Sequence, residues 1–557
     1  MRYTTKWAGV SALFLLGLIP AAQAQQTGWG EGNKLESTEI VVEKNRTLEL
    51  PEANRNFQKF LIQPPTLGDR KVTYRFNEYR LPEHYINLPM KVLAIESEQL
   101  SKQYGNYVKG GLGNYGTFYG QGYFHNTRND KSSFGAQVGH LSSAHGPIEN
   151  SGSASSYVQG NGELYYGPVA VGGRVRYERD QNYFYGGSNV AEVDKNSIKQ
   201  VYNRFLVEGH LNNLTDVKNI FHYDGKVGLT YTGDDYNAKE THLFGRVETA
   251  YDLSAESKIK VDLDLAYTSL KGNDTYGRGF FKVRPAYALK MDRLGLMLGA
   301  TIAYTGDTVN DARKFNVYPA LEANYQVIQD KLTMFVGAGG DLQRNTLFSL
   351  SKENPWLNQN LQIADVNKGL EIYGGVNGSI SKSVNFTGRV ALQNYRNLYF
   401  YNNSVADSAK FDLLYDDGVT KVFQFFGQLT FNQAEDLRLG AKVESNNYTT
   451  TSLREPFHRP DMIATAFASY NLSDKILLNS ELYYISSSFG EITRTDGTKL
   501  LQETDNVVDL NLKGDYRFTP RFSAFLMGNN LLGSKYQRFV NYPTQGISFI
   551  GGVTYSF

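Results

Sequence analysis

The groupings in this chain that could do chemistry are few, and each has a competing structural use. Gly111-Leu112-Gly113-Asn114-Tyr115-Gly116 fits the G-x-G-x-x-G spacing. At the opening of a helix in a βαβ unit, that spacing lets backbone amides and the helix N-terminus cradle a pyrophosphate. Strand-like sequence follows it here, so the glycines read as close-packed strand or turn positions. The eight histidines are His84, His125, His140, His145, His210, His222, His242 and His458. None falls in the H-E-x-x-H spacing of a zinc site, and they read as polar wall. Asp234-Asp235, Asp307, Asp311 and Asp416-Asp417-Gly418 offer oxygens of the kind hard cations bind. They lack an EF-hand spacing and read as solvated turns. No G-x-S-x-G elbow marks a hydrolase, although a Ser-His-acid site built across neighbouring strands is recognised by geometry rather than order. The expectation is no catalytic, cofactor-binding or metal-binding residues, and no enzyme.

The elements that would position any site are strands. From Tyr107 to Phe557, segments of eleven to fifteen residues alternate apolar and polar positions, broken by stretches rich in Gly, Asn, Asp or Ser. Ile259, Val261, Leu263, Leu265 and Tyr267 share one face, and Lys258, Lys260, Asp262 and Asp264 the other. Val169, Val171, Val175 and Tyr177 stand likewise against Arg174, Arg176 and Glu178. The same division sets Leu437, Leu439, Ala441 and Val443 against Arg438, Lys442 and Glu444, and Val508, Leu510, Leu512 and Tyr516 against Asp509, Asn511, Lys513 and Asp515. Period two means strand. A greasy face and a charged face on strands this long suit a lipid-facing wall around a watery lumen.

Connections alternate in length. Short ones run through Arg128 to Lys131, Leu253 to Ser257, Asp292-Arg293, Gln329 to Lys331, Ser381 to Ser383, Gln433 to Asp436 and Ser473 to Lys475. Longer ones cover 180–197, 233–238, 272–276, 306–314, 343–367, 396–410, 449–458 and 489–504. Short periplasmic turns and longer outer loops give about twenty-two strands over 106–557, with both barrel ends on the periplasmic side. The fold class expected is all-β: a transmembrane antiparallel barrel with a short irregular N-terminal extension.

Composition agrees. The chain has 557 residues with 39 Tyr, 32 Phe and 54 Gly, no Cys, and a net charge of +1. Zero cysteine excludes disulfides and thiolate metal sites, and near-neutrality gives no argument for nucleic acid. No mature segment reaches eighteen consecutive apolar residues, which excludes helical spans. The aromatic abundance reads as girdles at the two membrane interfaces. Tyr183-Phe184-Tyr185 and Tyr399-Phe400-Tyr401 lie in outer loops, where they could instead stack on a ligand or dock a partner.

At the N-terminus, Arg2 and Lys6 precede an apolar run from Ala8 to Ile19, and Ala22-Gln23-Ala24 follows. This is the pattern of a secretory signal peptide over 1–24. Residues 25–105 carry Pro51, Pro64, Pro65, Pro82 and Pro89 with little periodicity, and read as a periplasmic or lumen-inserted extension. At the other end Phe549, Val553, Tyr555 and Phe557 alternate with polar residues. They look like the C-terminal signature recognised by the barrel-assembly machinery.

The chain resembles the TonB-dependent receptors of the outer membrane, and more closely a plug-less group of Bacteroidetes. Thr38-Glu39-Ile40-Val41-Val42-Glu43 resembles the segment such receptors offer to the periplasmic energy-coupling protein. Tyr107 to Gly116 resembles the opening strand of the plug-less group, and Ser349 to Pro355 one of its loops. Asn529-Asn530-Leu531-Leu532, Tyr536, Phe539, Tyr542-Pro543 and the last strand resemble the end of a receptor barrel. The resemblance implies twenty-two strands, in agreement with the independent count. It also implies a location in the cell outer membrane and a role in transport, with Thr38, Glu39, Ile40, Val41 and Val42 as a possible energy-coupling segment for a TonB-type protein. Fewer residues precede the first strand than a full receptor plug requires. A lumen this wide is plugged in natural examples, so it must be filled by residues 25–105, by loops folding inward, or by another protein. The alternative function is a structural or accessory subunit of a larger outer-membrane assembly or export machine, with other outer-membrane subunits and lipoproteins as partners.

Overall fold

The computed structural model describes residues 105–126, 130–146, 148–187, 193–213, 219–272, 274–433, 436–494 and 496–557. The signal peptide, Thr38 to Val42 and the N-terminal extension precede the described residues. Alternating apolar and polar positions form twenty-two antiparallel strands in one sheet. The sheet closes where the first strand, Tyr107–Gly113, pairs with the last, Ser548–Ser556, from Tyr107 opposite Ser556 to Gly113 opposite Ile550. The resemblance and the loop-length count both gave this number. The G-x-G-x-x-G residues serve the first hairpin: Asn114–Gly116 is a turn in which Gly116 takes φ +63°.

The wall is apolar on the outside and charged within. Val171, Val175 and Tyr177 are exposed to the exterior, whereas Arg174 meets Glu208 on the inner face at 3.4 Å. Lys282 bridges Asp264 and Asp341 at 3.6 and 2.9 Å on the lumen side. Such inversion is what lipid outside and water inside demand. No helix among the described residues is long and apolar enough to cross a membrane. Close to the short turns, Tyr166, Phe221, Tyr251, Tyr325, Phe518 and Tyr555 are exposed on the wall, forming the expected aromatic girdle at that interface.

All the longer loops lie at the opposite end. One is longer than the sequence pattern indicates, because 397–419 in its entirety separates the barrel strands Val384–Arg396 and Thr420–Gln433. Inside it, Tyr399–Asn403 and Phe411–Tyr415 pair with each other as a separate hairpin, so their alternation mimics a wall strand. The 486–506 loop builds a similar hairpin from Phe489–Thr493 and Lys499–Glu503.

Closure depends on bare backbone at the seam. Gly111 lies opposite Gly552, and a side chain on Gly552 would strike the Gly110 carbonyl oxygen and the Phe525 ring. Gly160, in mid-wall, has nothing within 4 Å of where its Cβ would stand. Gly552→Val is therefore expected to cost about 1–3 kcal/mol by overpacking and to lower the folded, heat-modifiable fraction on cold gels, while Gly160→Ala leaves that fraction unchanged. Equal folded fractions for the two variants would remove the seam argument.

Candidate functional site: a lid over the barrel mouth

A membrane barrel that turns its apolar side chains outward has little left for a core. Most of the buried apolar residues nevertheless gather at the loop end. Leu347, Leu350, Leu357, Leu361, Ile363, Tyr401, Phe411, Phe539 and Tyr542 form one cluster with Leu270. Val366, Leu398, Phe400 and Phe457 form a second. These residues come mainly from loops following different strands.

Their placement around the ring determines what the clusters do. Three loops leave the barrel after its fifth, thirteenth and twenty-first strands, Val169–Tyr183, Leu332–Gln343 and Phe522–Asn529. They are eight, eight and six strands apart around the ring of twenty-two. With about 4.8 Å between strands and a tilt of about 40°, the barrel is about 44 Å across, so these loops start more than about 30 Å from one another. They nevertheless touch. Trp356 stacks on Tyr542 with ring centroids 3.9 Å apart. Tyr185 sets its edge against both, at 4.9 and 5.9 Å. The Trp356 indole N–H donates to the Tyr183 carbonyl at 3.0 Å, and the Tyr185 hydroxyl to that of Pro543 at 3.1 Å. Loops from three sides of the ring therefore meet over the mouth as a lid.

The 344–365 loop forms the centre of the lid. It opens with the helix Leu347–Glu353, whose N-cap Thr346 and Ser349 exchange hydrogen bonds as a capping box. Glu240, projecting from the wall, accepts the next free helix amides, those of Leu347 at 2.8 Å and Phe348 at 3.3 Å. Arg204 donates to the Ser351 hydroxyl at 3.0 Å, and Lys352 reaches Glu178 at 2.7 Å. Beyond the helix, Asp365 pairs with Arg278 at 2.9 Å, both side chains almost fully buried. Asp365 also accepts from Thr305 at 2.8 Å, while its own amide donates to Asp307 at 2.8 Å. Arg278 donates in addition to the Asn345 carbonyl at 2.7 Å. The loop is thus tied by charge and hydrogen bonds to the inner wall as far round as the fifth strand.

The other loops lock onto this centre. Phe411 and Leu357 form a parallel bridge, and the Tyr399 and Tyr401 hydroxyls donate to Glu353 at 2.7 and 3.0 Å. Arg459, largely buried, donates to the Tyr399 carbonyl at 2.7 Å and lies 4.7 Å over its ring. Asp416 joins loop to loop by accepting from the amides of Thr451, Ser452 and Leu453. Burial pushes its carboxyl upward, but these donors outweigh burial and hold it below the usual carboxylate range. His458 joins three loops. Its Nδ1 donates to the Tyr401 carbonyl at 2.7 Å, and its Nε2 accepts from the Val540 amide at 3.1 Å. Burial pushes its pKa down to about 4, so the ring is neutral and both nitrogens are used.

Several sequence-level expectations change here. Tyr183-Phe184-Tyr185 and Tyr399-Phe400-Tyr401 do not belong to a membrane girdle, since they are buried or partly buried at the loop end. Asp307 and Asp416 are not solvated turn residues. Each is nearly fully buried because loop amides need acceptors there. His458 is a staple rather than polar wall. Lumen-side Glu240 and Arg278 drew no attention in sequence, because a charged residue at an inward strand position looks like every other. Phe549, Val553, Tyr555 and Phe557 share the outer, exposed face of the last strand and chain end. Among the described residues no group of three or more His, Asp or Glu stands ready for a metal ion.

No protein-family model matches the chain, and no curated protein matches it by sequence. Solved structures do. The FrpB iron transporter of Neisseria meningitidis matches with a TM-score of 0.63 at 8% identity, covering 82% of each chain. The ferric-catecholate import receptor Fiu of E. coli K12 gives 0.62 at 11%, again over 82% of each. The pyoverdine outer-membrane receptor FpvA of Pseudomonas aeruginosa gives 0.59 at 10%, over 83% of this chain and 79% of that one. The fold is that of these receptor and transporter barrels. At these identities the likeness is one of fold, and it agrees with the outer-membrane location that the apolar wall requires. The names of these neighbours describe a transporter and receptors.

Two outcomes follow for the lid. Removing one partner of a buried ion pair strands the other charge, so Asp365→Ala is expected to destabilise lid docking by about 3–5 kcal/mol. Hydrogen exchange would show this as faster exchange over 344–365 with the wall amides unchanged. Because the His458 pKa is lowered, its contribution is complete above the free-histidine value of about 6.5 and is lost as pH falls toward 4, at most about 3 kcal/mol. The protection factor of the Val540 amide, its exchange rate corrected for the intrinsic slowing at low pH, is expected to fall across that window in the native chain, and to lose this pH dependence in His458→Gln.

Proposed function

We propose that this chain is a receptor-like transport barrel of the outer membrane, of the plug-less TonB-dependent type, whose own loops gate the lumen from the outer side. One observation carries the reading: Tyr185, Trp356 and Tyr542, from three sides of the ring, meet over the mouth. A lumen this wide needs closing, and a lid held by a few polar ties to the wall can be released without unfolding the barrel. Residues 1–24 direct export, and Phe549, Val553, Tyr555 and Phe557 present the apolar stripe offered to the barrel-assembly machinery. Thr38, Glu39, Ile40, Val41 and Val42 supply the strand that a periplasmic TonB-type protein adds to its sheet, an interaction that relies on main-chain hydrogen bonds and needs little sequence. Iron and siderophores are what the structural neighbours' names specify for those proteins. No feature of the lid selects such a cargo here, since its aromatic rings face one another.

That same feature favours a second reading, an accessory subunit of a larger outer-membrane machine. A lid packed on itself suits a barrel that is held closed by, or for, its partners.

The absence of cysteine makes the test clean. Val41→Cys, expressed in the native membrane beside a TonB-type protein with a cysteine in its pairing strand, is expected to form a disulfide-linked pair, which Val41→Pro abolishes in a second site-specific crosslinking series. A pair that forms equally with Pro at this position, or no pair at all while outer-membrane subunits or lipoproteins co-purify in fixed ratio, would replace energy-coupled transport with the accessory role.

A further inference from the structure

The outer wall carries a feature that neither lid nor lumen uses. On the loop-side ends of three adjacent strands, Ile372, Leu392 and Phe423 lie opposite one another in a single exposed apolar row. A register shift between Lys368 and Leu370 interrupts the strand pairing here, and a hollow of about 360 Å³ lies against these residues. One row nearer the loops Leu370 is still apolar, but the outward side chains beside it, Asn394 and then Lys421, are polar. Arg396, the last residue of its strand, is exposed one step further along. This change from apolar to polar marks the upper limit of the hydrocarbon.

Lys421 and Arg396 make no ion pair among the described residues, and Asp417, the exposed acid of the adjoining loop, pairs with neither. Their positions on neighbouring strands are diagonal, which places their backbones about 7–8 Å apart. Two like charges left unpaired at that spacing repel each other, and an anion between them reverses the sign. We infer that this rim binds one phosphate-bearing lipid of the outer leaflet, with an acyl chain in the hollow beneath Asn394 and its phosphate between Lys421 and Arg396. Hollow and charge stand in the order that such a lipid presents chain and headgroup. The site would anchor the barrel vertically beside the strands that carry the 397–419 loop.

Native mass spectrometry of the detergent-solubilised full chain tests this with three probes: monophosphoryl lipid A, phosphatidylcholine and inorganic phosphate. The lipid A is expected to bind with one strong site, phosphatidylcholine weakly, and phosphate not measurably. The double variant Lys421→Gln/Arg396→Gln should lose about twenty-five-fold in lipid A affinity, about fivefold for each cation removed. Leu392→Trp, which fills the hollow and keeps both charges, should lower lipid A binding as well, and heat-modifiable mobility reports that each variant is folded. Undiminished lipid A binding in both variants would overturn the site. Phosphate binding as tight as lipid A would reduce it to an anion site without a lipid, and equal binding of phosphatidylcholine would remove the role of the cations.

Discussion

The constraint on which everything else rests is that no backbone N–H or C=O can be left unpaired in hydrocarbon. A sheet in lipid cannot have an edge, so the first strand must find the last, and Tyr107–Gly113 does so along its whole length against Ser548–Ser556. Glycines at the seam allow that approach. Once the ring closes at twenty-two strands, its circumference is set, and with it a lumen far wider than side chains can fill. The wall satisfies its own backbone and thereby creates an opening that something else must cover.

The cover follows from the same inversion of polarity. With apolar side chains facing lipid, the wall keeps only a small buried cluster around Phe280, Ala303, Tyr318 and Leu342, and aromatic residues on the loops are buried mainly against one another. They do so where loops from several sides of the ring meet, which places the principal buried apolar cluster over the axis. Polar ties then fix its position: Arg278 to Asp365, Glu240 to the helix start, and Lys352 to Glu178. Packing among the loops provides cohesion, and these wall contacts provide register. A gate needs this division, because the cohesive part can move as one body when the ties are released.

The wall was legible in sequence because its rule is local. Period two in Lys258 to Tyr267, or the alternation of turns such as Asp292-Arg293 with loops such as 343–367, is visible within a few tens of residues. The lid was not, because its contacts join residues far apart in the chain. Trp356 and Tyr183 are 173 residues apart, and Tyr185 and Pro543 are 358 apart. Local reading could list Tyr183-Phe184-Tyr185 and Tyr399-Phe400-Tyr401 as loop aromatics, but could not say that Tyr185 and Tyr401 would pack in one cluster with Trp356, Phe539 and Tyr542. Asp416 illustrates the same limit. Asp-Asp-Gly is a solvent turn by composition, and becomes a buried acceptor only because the 450–461 loop lies beside it.

The central claim is that the loops themselves close this barrel, and single-channel conductance in planar bilayers tests it most directly. The purified full chain is compared with a variant in which 346–364 is replaced by a short Gly-Ser linker. The expected result is negligible conductance for the native chain and a large, weakly selective conductance for the variant. A native chain that already conducts as a wide pore, or a variant that stays closed while folded, would contradict the account.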